Sequence, residues 1–253
     1  EGNYWFGTHG GLVSYNRNDG KLNRYFTGKG LSNDSTELIS ALCLDNKGII
    51  WAGIVGKGLY SFDTGKEEFI NRLDFQKLQT QPYSINSMII TEIIAGNDYV
   101  WLGTNLKGLI QFNYKQEFKV YDEEKGLSSN YINSLIEDAS GNIWIGTKKG
   151  LSKLVKESGQ IQQYDISDGI LSNQFRWKSA CSGTDGTIYM GTMKGVISFK
   201  PDDVNDNIQE PQLKFTDLYL FNKALKPGLK NSPIDHFPLN RDTIFLKYNQ
   251  NYL

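Results

Sequence analysis

The chain has 253 residues, a formal net charge of −1, 26 glycines, 6 prolines and 13% aromatic residues. That length can bury one large core, or one core and part of another, and the balanced charge leaves no basic footprint for nucleic acid. No apolar run reaches the roughly 18 residues of a membrane helix, and no signal peptide opens the chain; Glu1 already lies inside a repeat, so further blades are expected upstream.

The first element is "NYWFGTHGGLVSY", from Asn3: an aromatic run, a Gly-Thr pair, a glycine turn and an alternating strand. The pattern returns as "GIIWAGIVGKGLYSF" at Gly48, "DYVWLGTNLKGLIQF" at Asp98, "GNIWIGTKKGLSKL" at Gly141 and "GTIYMGTMKGVISF" at Gly186. Its anchors are Trp5, Trp51, Trp101, Trp144 and Tyr189, spaced about 43 to 50 residues apart, a period typical of propellers and solenoids. In the unit from Tyr131 to Tyr164, "INSLIED", "IWIGT", "LSKLV" and "IQQYDI" read as four short strands separated by turn residues. A four-stranded antiparallel blade cannot bury both faces alone, and fanning blades about an axis solves this. The anchor then serves as an apolar plate between blades. The glycine two residues later (Gly7, Gly53, Gly103, Gly146, Gly191) removes a side chain where another backbone is expected to come close. The threonine after it (Thr8, Thr104, Thr147, Thr192) offers a hydroxyl to a turn, and Ile54 breaks that rule.

The fold class is therefore all-β: β-propeller blades, about five complete or partial ones of a larger propeller, at residues 1–201. The first unit lacks its innermost strand, and the last ends at Pro201. A polar linker is expected at 202–211. Residues 212–253, with "QLKFTDLYLFNKAL" and "DTIFLKYNQNYL", alternate like the beginning of an Ig-like β-sandwich. Cys43 and Cys181 each lie eight positions before an anchor, in a slot that Ile93 and Ile136 fill elsewhere, and so are expected to be small buried hydrophobes.

"GLSSNYINSLIEDASGNIWIGTKKGLSKL" and "GKGLSNDSTELISALCLDNKGIIWAGIVGKGLYSF" resemble the regulator-propeller repeat. "SNQFRWKSACSGTDGTIYMGTMKGVISFKP" is similar to that family's terminal blade, and "PQLKFTDLYLFNKAL" with "LKYNQNYL" to the start of its three-tyrosine (Y_Y_Y) domain. The resemblance implies the periplasmic sensor of a hybrid two-component system in polysaccharide-harvesting bacteria. In that family two seven-bladed propellers and a sandwich precede a membrane helix, a histidine kinase, a receiver and a DNA-binding domain. The implied partners are an oligosaccharide and a second copy of the ectodomain, with the membrane met only through a downstream helix. Departures are Ile54, a longer loop at Ser32 to Leu38, and a truncated sandwich.

No catalytic constellation is legible. His9 and His236 lie in loops without Cys or His at metal spacing, and no nucleophile elbow, P-loop or HExxH occurs, so no metal or cofactor is expected. The acid pairs Glu137–Asp138, Glu123–Glu124 and Asp202–Asp203 read as solvated turns; "DDVNDN" reads as linker, lacking the glycine and closing glutamate of an EF-hand. For binding, the blade-connecting loops gather at one end of the blades. They carry Asn33, Asn86, Asn130, Tyr131, Asn173, Gln174, Arg176 and Trp177, groups that suit a sugar and especially an acidic one. Each asparagine taken singly reads as a turn former. Arg176 aligns with Leu38, Met88 and Tyr131, and Trp177 with Ile39, Ile89 and Ile132, which places Trp177 in the core between blades. A propeller lyase or hydrolase, or a protein-docking scaffold, are the alternatives to a sensor.

Overall fold

The computed structural model describes residues 2–27, 37–72, 88–96, 99–113, 117–204, 219–220 and 223–224. The chain divides into two compact units, Glu1–Val204 and Asn205–Leu253. The first unit holds five antiparallel sheets among the described residues. Sheet one is β1 (Asn3–Thr8), β2 (Gly11–Asn16) and β3 (Leu22–Tyr25). Sheet two is β4 (Ile39–Leu44), β5 (Ile49–Ile54), β6 (Gly58–Asp63) and β7 (Glu68–Arg72). Sheet three is β8 (Ile90–Ala95), β9 (Tyr99–Thr104), β10 (Leu109–Asn113) and β11 (Phe118–Tyr121). Sheet four is β12 (Ile132–Glu137), β13 (Ile143–Thr147), β14 (Leu151–Leu154) and β15 (Ile161–Tyr164). Sheet five is β16 (Phe175–Ser182), β17 (Ile188–Thr192) and β18 (Gly195–Phe199). Strands pair in chain order throughout, as tight turns between short strands require.

The sheets are blades, because one apolar cluster lies between each adjacent pair. Leu12, with Trp5 and Tyr25, packs on Ile39, Ile50 and Phe62 between sheets one and two. Trp51 and Leu59 meet Val100, Ile110 and Phe112 between two and three. Trp101, Leu109 and Tyr121 meet Ile132, Ile143 and Leu154 between three and four. Trp144 and Leu151 meet Phe175, Ile188 and Met190 between four and five. A strand covered on both faces needs a near-continuous apolar run, and β13 is buried along its whole length.

The anchor glycine receives the next blade. A Cβ on Gly7 would stand 2.7 Å from Ile39, on Gly53 2.9 Å from Ile90, on Gly103 2.8 Å from Ile132, and on Gly146 2.9 Å from Phe175. The first residue of each innermost strand therefore seats on the glycine of the blade before it. What comes close is therefore the root of a side chain of the adjacent blade, not the expected backbone.

The threonines act as expected. Thr147 Oγ1 donates to Gly150 O at 2.8 Å and accepts from Lys149 N at 3.0 Å, closing the β13–β14 turn. Thr8, Thr104 and Thr192 donate likewise to Gly11, Gly108 and Gly195. At Ile54 the backbone carbonyl takes the turn's N–H, from Lys57. Thr147→Val should therefore cost about 1 kcal/mol, one net hydrogen bond, whereas Ile54→Val should stay within about 0.5 kcal/mol; urea denaturation of both variants checks this.

Both parts of the cysteine expectation, the shared slot and its burial, are corrected. Cys43 opposes Trp51, Cys181 opposes Tyr189 and Ile136 opposes Trp144, but in the third blade the slot belongs to Ile94, not Ile93. Cys43 is half-buried against the core, and burial pushes its thiol up, which suppresses thiolate. Cys181 is exposed, because its face of the last sheet has no blade against it among the described residues. The first unit runs on to Val204, past the expected boundary at 201, and Val204 packs into the cluster around Trp144. In the second unit the described residues form one short pair, β19 (Tyr219–Leu220) with β20 (Lys223–Ala224). The rest of the expected sandwich, with His236, lies outside the described residues.

Candidate functional site

The segments entering β12 and β16 share one design. Asp122 and Asp165 cap short 3-10 turns that end in left-handed glycines, Gly126 at φ 101° and Gly169 at φ 95°. The asparagine that follows reaches back: Glu123 N donates to Asn130 Oδ1 at 2.8 Å, and Ile166 N donates to Asn173 Oδ1 at 3.0 Å. Ser129 and Ser172 hydroxyls accept from Tyr131 N and Gln174 N. The amide oxygens of Asn130 and Asn173 are thus committed to holding the loops. Asn33 and Asn86 lie outside the described residues.

Those loops set out the other candidates at one end of blades four and five. The Lys148 ammonium lies 3.4 Å from the centroid of the Tyr131 ring. Beside it Lys149 pairs with Glu123 at 3.4 Å. Gln174 is exposed, and its carbonyl accepts from Met193 N at 2.9 Å, tying the β17–β18 turn to the start of β16.

The innermost strands carry a bulge just past their first residue. In β4, β8 and β12 a single residue is extruded opposite the anchor glycine: Ser40, Thr91 and Asn133. In β16, Phe175 opposes Thr192, and the next paired residue is Ala180, opposite Met190. Phase with the other blades sets Ser179 opposite Gly191, so Arg176, Trp177 and Lys178 form a bulge two residues longer. The expected alignment is corrected accordingly. Phe175, not Trp177, matches Ile39, Ile90 and Ile132, and Trp177 is 50% exposed rather than core. Lys178 sits at φ +51°, a left-handed conformation that costs a non-glycine residue on the order of 1 kcal/mol. Ser179 Oγ donates to Arg176 O at 2.7 Å and lies 3.1 Å from Gly191 O, closing the excursion. Across from it, burial pushes the Glu92 carboxyl of β8 up, and the Lys178 charge pulls it partly back. The Asn133 amide donates to Phe175 O at 2.7 Å, but its own buried Oδ1 has no partner.

A second polar cluster lies where blades one and two meet. Glu37 is buried, accepts from Thr27 Oγ1 at 2.6 Å and pairs with Lys57 at 2.5 Å. Burial pushes its carboxyl up, but the hydrogen bonds of Lys57 and Thr27 outweigh that and hold it below the ordinary carboxylate range. A depressed folded value contributes stability that is present above the unfolded pKa and lost as pH falls through the folded one. Glu37→Gln should therefore cost about 2 kcal/mol at neutral pH, and the gap to the parent should narrow below about pH 4. Urea midpoints measured against pH check both.

Sequence reasoning missed the turn aspartates. Asp138 Oδ2 accepts the Trp144 indole N–H at 2.9 Å, and its other oxygen accepts from Ser140 N and Asn142 N. Asp45 does the same for Trp51 at 3.1 Å. The signal was an aspartate six residues before a tryptophan, hidden among acid pairs read as solvated. At the opposite end of the blades a groove of ≈ 690 Å³ is lined by Tyr99, Trp101, Gln111, Lys119, Tyr121 and Lys156, among others. Among the described residues no group of three or more His, Cys, Asp or Glu is placed to hold a metal, and His9 is an exposed turn residue.

This architecture defines a stack of β-propeller blades. Residues 126–149 match the family model of the two component regulator propeller. The chain is 28% identical over 255 aligned positions to Histidine kinase P4 of Formosa agariphila, covering 96% of this chain and 17% of that one. It superposes with TM-score 0.69 at 22% identity on the extracellular domain of the hybrid two component system BT3049 from B. thetaiotaomicron, covering 90% of this chain and 31% of that one. The corresponding domain of BT4673 from the same organism gives 0.64 at 21% identity, covering 81% and 29%. The chain thus spans about a sixth of the kinase and under a third of each extracellular domain it resembles.

Proposed function

We propose that this chain is part of the extracytoplasmic sensor of a hybrid two-component histidine kinase, and that it helps recognise an oligosaccharide released from a polysaccharide. The observation that carries the reading is the regulator-propeller match at residues 126–149 within blades that share the fold of such extracellular domains. Propellers host many functions, so the ligand class rests on the residues gathered at one end of blades four and five. An aromatic ring beside an ammonium, an exposed amide, an exposed tryptophan and a guanidinium supply stacking, hydroxyl partners and counter-charge. The chain itself has no catalytic role in this reading; the kinase lies in another part of the polypeptide.

Signalling needs a ligand that prefers one arrangement of propeller, following sandwich and partner ectodomain over another. In this reading the periplasm is the compartment. Calorimetry of the full ectodomain against a panel of polysaccharide-derived oligosaccharides tests the proposal. Saturable binding without turnover is expected. Product formation would replace the sensor with a lyase or hydrolase. No binding by folded protein across the panel would leave a docking scaffold.

A further inference from the structure

We propose that the enlarged bulge Arg176–Lys178 is the ligand-reading element of these blades and that it takes an anionic sugar, with the anionic group on the cations and a ring face on Trp177. The proposal rests on the sensor reading above. It starts from a comparison internal to the molecule: three innermost strands extrude one residue, and the fourth extrudes three at the same place. Both ends of the longer excursion are fixed. Phe175 seats on Gly146, and its carbonyl is held by the Asn133 amide; Ala180 is back in register opposite Met190. Extra chain between fixed ends cannot enter a packed interior, so it projects. All three of its side chains are exposed, whereas Thr91 and Asn133 at the same position are buried.

The projecting residues are the wrong ones for a spacer. Glycine would take φ +51° without strain, yet the chain keeps Lys178 there. Backbone held in such a region concentrates at functional sites. An exposed tryptophan between two cations offers a stacking face and a fork that matches a carboxylate or sulfate. Successive Cα atoms are about 3.8 Å apart, so all three side chains lie within reach of one disaccharide. No ion pair of Arg176 or Lys178 within bonding distance occurs among the described residues. The acid facing Lys178 is Glu92, which leaves the Arg176 guanidinium as the primary anion contact. The unpartnered, buried Asn133 Oδ1 lies at the root of the bulge.

The test is calorimetry of the full ectodomain with uronate-terminated, sulfated and carboxyl-reduced neutral disaccharides. Parent protein is compared with Arg176→Ala, Trp177→Ala and a variant lacking Trp177 and Lys178, which restores the one-residue bulge. Lys156→Ala, at the other end of the blades, is the control. The expected result is binding of an acidic disaccharide at least tenfold tighter than its neutral counterpart, lost tenfold or more in each bulge variant and unchanged in the control. The uronate and sulfate arms identify which anion is read. Acidic ligands bound equally by parent and bulge variants would overturn the site and leave the sensor reading standing. Equal binding of acidic and neutral sugars would overturn the ligand class. A fall in melting temperature for Trp177→Ala like that of a core tryptophan would assign it to packing and overturn its role. No binding to the parent at all would overturn both readings together.

Discussion

Gly146→Val is expected to be among the most damaging single changes in the blades. A Cβ at this position would stand 2.4 Å from Ser134 Oγ and 2.9 Å from the Phe175 ring. Ser134 belongs to the neighbouring strand of the same blade, and Phe175 is held in place by Asn133. Neither can retreat without pulling an innermost strand. Overpacking of this kind costs about 3 kcal/mol, read as a fall in the urea midpoint with an unchanged slope. Gly146→Ala should already show most of the loss. Gly65→Ala serves as the contrast: its Cβ would meet only Asp63 Oδ1, at 3.3 Å, and it should stay within about 0.5 kcal/mol. Equal effects at the two glycines would mean that blade-to-blade seating is not what the anchor glycine provides.

Trp144→Ala should cost about 4 kcal/mol, the usual loss for a large buried aromatic. Trp144 is 1% exposed, lies 4.6 Å from the Phe199 ring and 5.8 Å from Tyr164 by centroids, and donates to Asp138. Trp144→Phe separates the two contributions: it keeps most of the plate, drops the indole N–H, and should cost about 1.5 kcal/mol. Tyr189→Ala, at the equivalent anchor of the last blade, should cost little in this 253-residue chain, because Tyr189 is 41% exposed. A large loss at Tyr189 would contradict the assignment of its face as one without a neighbouring blade among the described residues.

The repeat was legible because each of its signals is local. Gly141 takes φ 81° in the β12–β13 turn, Thr147 bonds its own turn, and the alternation of β14 is set by its own sequence. Period, strand order and anchors follow from such marks. The register of the innermost strands was not legible. Counting backward along β16 put Arg176 and Trp177 in apolar slots, and the extra residues are invisible until strand pairing shows where they are extruded. The role of Asp138 was hidden for a related reason: its partner is six residues away across a turn, and an acid pair in a turn ordinarily faces water.

Antiparallel blades, the positions of anchors and turns, and the turn-forming character of Asn130 and Asn173 can all be read from residue order alone. These depend on side-chain period and on residues a few positions apart. Distant contacts, by contrast, made Gly7, Gly53, Gly103 and Gly146 seats for the leading residue of the following blade, brought Thr27 and Lys57 together on Glu37, and left Trp177 outside the core on an enlarged bulge. Those outcomes depend on which residues of distant segments oppose one another, and a bulge changes that pairing while leaving the local pattern on either side intact.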